Sequence, residues 1–180
     1  DVIKFLMKWD NITYLETIKE FAQKLGLPLQ DFNLQDTNVK LRERLTQANR
    51  YAAQFYTYML FKTPYGAKAR EYLVQRGIRD EIAQKFELGY APSSWDSLCR
   101  FMESKKFTQK ELIDAGLVLR SERGSVYDRF RGRLMFPLKD VKEHIIGFSG
   151  RILDKDEKSA KYVNTPETLI YHKRDTLYGI

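Results

Sequence analysis

The chain has 180 residues, enough for one domain with a sizeable core or one domain and part of a second. Hydrophobic residues make up 43% and charged residues 31%, a globular balance, and no apolar run approaches the roughly 20 residues of a membrane span. A single cysteine, Cys99, excludes a disulfide framework and a cysteine-pair zinc site within these residues, and the net charge of +7 fits a polyanionic partner without identifying one.

Residues 1–30 read as two short helices. Val2, Ile3, Phe5, Leu6 and Trp9 form one apolar stripe; Leu15, Ile18, Phe21, Ala22 and Leu25 form another, opened by Thr13 and Glu16 as a capping box. The stretch that follows, 31–38, is polar and aperiodic after Pro28 and reads as a linker. From 39 to 62 Leu41, Leu45, Ala48, Ala52, Phe55 and Met59 are spaced 4-3-4-3-4, a helix with a packing seam that ends at Thr63-Pro64. Short helices are expected from Gly66 to Gly77 and from Asp80 to Phe86, then one capped by Ser94 and carrying Trp95, Leu98, Phe101 and Met102 as structural residues. Thr108 and Glu111 spell a capping box for the next, and Cys99 falls on an apolar helical face as a packed core thiol.

Beyond Gly116 the period switches to strands, at 117–119, 126–130, 133–138 and 145–153. Helices first and mostly antiparallel strands last give an α+β fold, a helical N-terminal part followed by a basic β-sheet subdomain. Arg129, Arg131 and Arg133 stand at every second position, so a continuous strand holds three guanidiniums on one face and Phe130, Leu134 and Phe136 on the other. One or two of these arginines are expected to pair with Asp128 or Asp140. A Gly-Arg pair follows at Gly150-Arg151, and Lys161 opens Lys-Tyr-Val-Asn-Thr-Pro-Glu-Thr. Residues 129–180 hold eleven basic against seven acidic side chains, so the positive excess sits with these motifs. Guanidiniums and ammoniums in such a setting bind phosphates.

The ordered words DRFRGRxMFP, IGFxGRxL, KYxNxPET, HK and LYG, with YLVQRGI and FELGYAP before them, resemble the bacterial replicative DNA primases of the DnaG type. The resemblance implies three parts: 1–30 as the end of a zinc-binding domain, 31–38 as linker, and 39–180 as the N-terminal subdomain of the RNA polymerase core. It implies zinc ligands before Asp1 and a TOPRIM subdomain with the Mg²⁺-binding acids after Ile180, so neither a cofactor nor a catalytic residue is assigned here. This piece alone is therefore expected to make no primer. The resemblance places Arg76, Arg151 and Lys161 against template and nucleotide, with Lys173 on the same surface and Tyr162 and Asn164 flanking Lys161. Arg76 also reads as a cation complementing a helix dipole. Asn164 reads equally as a turn-holding residue. Arg129, Arg131 and Arg133 are divided between binding and structure. The implied partners are single-stranded DNA, nucleoside triphosphates, an RNA–DNA hybrid and, through a C-terminal domain, the replicative helicase, in the bacterial cytoplasm. The other reading of the same residues is a non-catalytic nucleic-acid-binding or replisome adaptor module.

Overall fold

The computed structural model describes residues 7, 9, 14–26, 37–154 and 160–175. The expected first helix (bar Met7 and Trp9), the Thr13 cap, most of the linker and the loop acids Asp156 and Glu157 lie outside them. The chain divides into two compact units, Asp1–Arg44 and Leu45–Ile180. In the first, α1 (Tyr14–Lys24) buries Thr17 and Ala22, and Glu16 meets Arg42 at 3.8 Å. Helix α2 (Thr37–Lys62) opens two residues earlier than the sequence pattern indicates.

In the second unit α2 supplies the buried seam: Leu45, Ala48, Ala52, Phe55 and Tyr56, while Tyr58 is exposed. A 3₁₀ turn, Pro64–Gly66, leads into α3 (Ala67–Gln75), which stops ahead of Gly77, and α4 (Asp80–Lys85) follows. Strand β1 (Gly89–Ala91), α5 (Ser97–Ser104) and α6 (Gln109–Asp114) precede a hairpin of β2 (Val118–Arg120) and β3 (Val126–Asp128). Strands β4 (Arg133–Lys139), β5 (Ile145–Ile152) and β6 (Tyr162–Asn164) join β1 in an antiparallel sheet of order β1-β4-β5-β6. The α+β expectation holds, with antiparallel pairing throughout the described strands.

Strand alternation divides the sheet into two faces. One packs on α2: the Tyr56 and Phe148 rings meet edge to face at 5.4 Å, and Phe130 reaches Phe148 at 6.3 Å. Gly150 is on this side because a Cβ there would stand 3.0 Å from Phe130 and 3.1 Å from Arg133. The other face carries Tyr90 and Leu134, which α3 and α4 cover through Leu73 and Ala83. Further along the same row come Arg151 and Tyr162, in register with Leu134, and these α3 leaves open.

Two local expectations change. Ser94 does not cap α5; its hydroxyl bonds Ser97, and the first-turn N–H groups of Leu98 and Cys99 donate instead to the Asp128 carboxylate, at 2.8 and 2.9 Å. A carboxylate from a distant strand outcompetes a neighbouring hydroxyl because it neutralises two orphan donors at once. Trp95, expected as a packed helical residue, precedes the helix and is 63% exposed.

The Thr108–Glu111 capping box is present in full: the Thr108 hydroxyl accepts from the Glu111 N–H, and the Glu111 carboxylate accepts from the Thr108 N–H at 2.7 Å. Thr108→Ala should cost about 1 kcal/mol and lower the unfolding midpoint by roughly 2–4 °C, measurable by scanning calorimetry.

Candidate nucleic-acid interface

The open half of the sheet face is bordered by α3. Tyr72 stands four residues before Arg76, so both lie on one side of the helix end. The Arg76 guanidinium sits 5.2 Å from the Tyr72 ring centre, and the Arg151 guanidinium, arriving from β5, sits 4.8 Å from the same ring. Arg151 also lies 5.6 Å from the Tyr162 ring and donates to its hydroxyl at 3.2 Å. Among the described residues neither arginine is paired with a carboxylate. Two cations share one aromatic ring, and neither guanidinium is neutralised by a described carboxylate, which leaves their charge for an anion. Arg76 keeps its second role as well, since it is the C-cap of α3.

Beside this cluster opens a cavity of about 400 Å³. Phe136, Leu138 and Tyr171 supply its apolar walls; Ser149, Asn164, Lys173 and the half-exposed Tyr162 supply polar atoms. The register explains the grouping, because Phe136, Ser149 and Asn164 are cross-strand neighbours on the same face as Arg151 and Tyr162. An apolar floor with a polar rim suits a planar, partly polar ligand such as a nucleobase. The Lys173 N–H donates to Glu167 at 3.0 Å, a bond that holds that exposed carboxylate below its usual range. Lys161 is exposed just before β6, opposite Ile152, so it falls on the alternate side of the strand from Tyr162. No hydrogen bond, ion pair or ring contact joins its side chain to the Tyr72 cluster among the described residues.

Arg129, Arg131 and Arg133 do not line one face of one strand. Strand β3 ends at Asp128 and β4 begins at Arg133, and Gly132 between them takes a left-handed φ of +61° while its N–H donates to Pro92. That backbone, ready for glycine and strained for other residues, breaks the alternation. Nor does any of the three pair with Asp128 or Asp140 through a carboxylate: Asp128 is taken up by α5, and Asp140 holds its own turn by accepting from Lys142 and His144. Arg133 is 7% exposed and donates to the carbonyls of Gly150 and Ala160 at 3.2 and 2.9 Å; loss of solvent, then the nearby Arg131 charge, lowers its pKa. Burial also lowers that of Arg129, whose Nε has no hydrogen-bond partner among the described residues.

Arg131 forms a second surface feature. Its guanidinium lies 4.0 Å from the Trp95 ring centre and 5.3 Å from that of Tyr127, and the two rings meet edge to face at 5.5 Å. The sequence pattern marks Trp95 only as a structural helix residue and gives Tyr127 no binding role. Tyr72 carries one readable signal, its i−4 spacing from Arg76.

Taken together, these features define an α+β domain whose surface sets unpaired arginines against aromatic rings beside an apolar cleft. The chain belongs to the DNA primase catalytic core, N-terminal domain family, which matches residues 55–180. It is 39% identical over 184 residues to a DNA primase of Streptomyces coelicolor, an alignment covering all of this chain and 28% of the relative. Among solved structures it resembles the RNA polymerase domain of Mycobacterium tuberculosis primase DnaG in complex with a double-stranded DNA oligomer with a 6-nucleotide overhang, at 43% identity and TM-score 0.71, covering 76% of this chain and 42% of that one. It also resembles a DnaG primase catalytic domain bound to single-stranded DNA, at 39% identity and TM-score 0.73, covering 79% and 45%. The chain thus spans under a third of the Streptomyces relative.

Proposed function

We propose that this chain is the substrate-holding part of a DNA primase, an RNA polymerase that makes short primers on single-stranded DNA. The observation that carries the proposal is the convergence of Arg76 and Arg151, 75 positions apart, on the single Tyr72 ring with no carboxylate partner among the described residues. Fixed cations that grip phosphate and rings that stack on bases track a strand without reading its sequence. The Arg131–Trp95–Tyr127 feature is a second stacking point for template, and the cavity beside Tyr162, Asn164 and Lys173 takes the incoming nucleoside triphosphate. Lys161, exposed on the alternate side of the strand from Tyr162, adds charge for the template backbone. The support from outside this chain is that its relatives are DNA primases and that two similar domains are solved with DNA.

Nucleotidyl transfer by paired Mg²⁺ requires clustered carboxylates. Among the described residues no three His, Cys, Asp or Glu side chains stand together to hold a metal ion, so the described residues do not fit Mg²⁺ or Zn²⁺. No step of the reaction is therefore assigned to a metal in this chain. In the full protein those ions belong to other segments, zinc in a preceding domain and Mg²⁺ in a following TOPRIM subdomain, and this piece alone makes no primer. The RNA–DNA hybrid occupies the same open face as it grows, and the replicative helicase meets a C-terminal domain. No described helix is long and apolar enough to cross a membrane.

The test is the affinity of the full-length protein for a labelled oligothymidine, by fluorescence anisotropy across a salt series. Arg76→Ala should flatten the log–log salt slope by about 1, the signature of one lost phosphate contact. Trp95→Ala should leave the slope alone and weaken binding about tenfold, the loss of one stacked base. Unchanged affinity in both variants would refute the nucleic-acid reading.

A further inference from the structure

The patch made by Trp95, Tyr127 and Arg131 is assembled from two chain segments that are not contiguous, residues 92–98 and 127–132. Asp128 makes five hydrogen bonds here, four to residues 95–99 and one within its own segment. Asp128 donates its backbone N–H to the Trp95 carbonyl at 2.7 Å, and its own carbonyl accepts from Arg131 Nη1. Its carboxylate accepts from the N–H groups of Leu98 and Cys99 at 2.8 and 2.9 Å, with the Ser97 hydroxyl at 3.4 Å. Asp128 is 2% exposed, so ligand cannot reach the carboxylate itself. We propose that Asp128 is a positioning residue for nucleic-acid binding: by clamping the start of α5 to β3 it sets Trp95 and Arg131 in the stacked geometry that receives a base. The inference rests on the reading of that patch as a template contact, given above.

A structural cap needs no buried ion, yet this one is kept at a cost. Burial first, and the Asp96 charge in addition, push the Asp128 carboxyl up to about 6, although the α5 N–H groups pull the other way. Because its folded value lies above the ordinary 3.8, the ionised form weakens the fold: the cost is absent below pH ~3.8, grows as pH rises through about 6 and is constant above it. The other groups facing it are the Tyr56 phenol from α2 and the Cys99 thiol, both pushed up by burial and therefore neutral near pH 6, and the Arg131 guanidinium on its main-chain oxygen. Near neutral pH the clamp is charged and strong. Below about pH 6 a proton removes one acceptor and the clamp loosens.

The experiment is a double-variant cycle in the full-length protein, reading oligothymidine affinity at pH ~7.5. Asp128→Asn places an amide NH₂ against an N–H donor, so affinity should fall several-fold toward that of Trp95→Ala. The double variant should bind no more weakly than Trp95→Ala alone, because Asp128 acts through that ring. Additive losses would overturn the inference, as would wild-type affinity in Asp128→Asn. If Trp95→Ala itself binds normally, it is the template reading of the patch that fails. Should Asp128→Asn not fold, the unsubstituted protein decides the matter. As pH falls from about 7.5 to about 5.5, its affinity should drop more steeply than that of Trp95→Ala. Parallel curves would refute the clamp.

Discussion

Arg151→Ala in the full-length protein should reduce primer synthesis by roughly ten- to a hundredfold, the loss of one or two charge-assisted hydrogen bonds to phosphate. Its unfolding midpoint should move by no more than about 2 °C. The two effects separate because of what Arg151 touches. Its neighbours are the Tyr72 and Tyr162 rings and the Tyr162 hydroxyl, and no described carboxylate depends on it. A cation over an exposed ring contributes only about 0.5–1 kcal/mol to the fold. Arg151→Lys keeps the charge and loses the planar fork, so it should recover the salt slope more fully than the rate. Primer yield on a single-stranded template, beside calorimetry of the same preparations, measures both quantities. A midpoint that falls by ten degrees or so with synthesis tracking it would make Arg151 a structural residue.

Local signals in the chain were readable where local physics decided them. The Thr108–Glu111 box and the long seam of α2 follow from side-chain types at fixed short spacings, whereas the short strand β1 falls between helices and breaks the expected order of helices before strands. The convergence of Arg76 and Arg151 is different. No periodicity links positions 75 apart, and only the family words pointed to it. The alternating arginines show how a local rule fails: the period-2 pattern is in the residues, but Gly132 adopts a backbone that a strand does not, and the three side chains scatter. Trp95 reads as a core aromatic by its spacing from Leu98 and Met102. It is exposed because α5 starts two residues later, where the distant Asp128 carboxylate fixes its first turn. Long-range capping of this kind leaves no trace in a single sequence.

Arg133→Ala should do the opposite of Arg151→Ala: lower the unfolding midpoint by roughly 5–10 °C while altering oligothymidine affinity, measured well below that midpoint, by no more than about threefold. The two arginines lie on opposite faces of the same sheet, one residue out of phase across β4 and β5. Arg133 faces inward beside Gly150, Phe130 and Met135, and its guanidinium is spent on the carbonyls of Gly150 and Ala160. Truncation leaves a void and strips a buried carbonyl of its donor, each worth about 1–3 kcal/mol. The charge itself is a burden, as its lowered pKa shows. Arg133→Met, which keeps most of the apolar stem and removes the buried cation, should therefore recover part of the lost stability that Arg133→Ala does not. If either variant instead bound DNA tenfold more weakly at an unchanged midpoint, Arg133 would belong to the template-holding surface, and the division of the arginine run between binding and core would have to be redrawn.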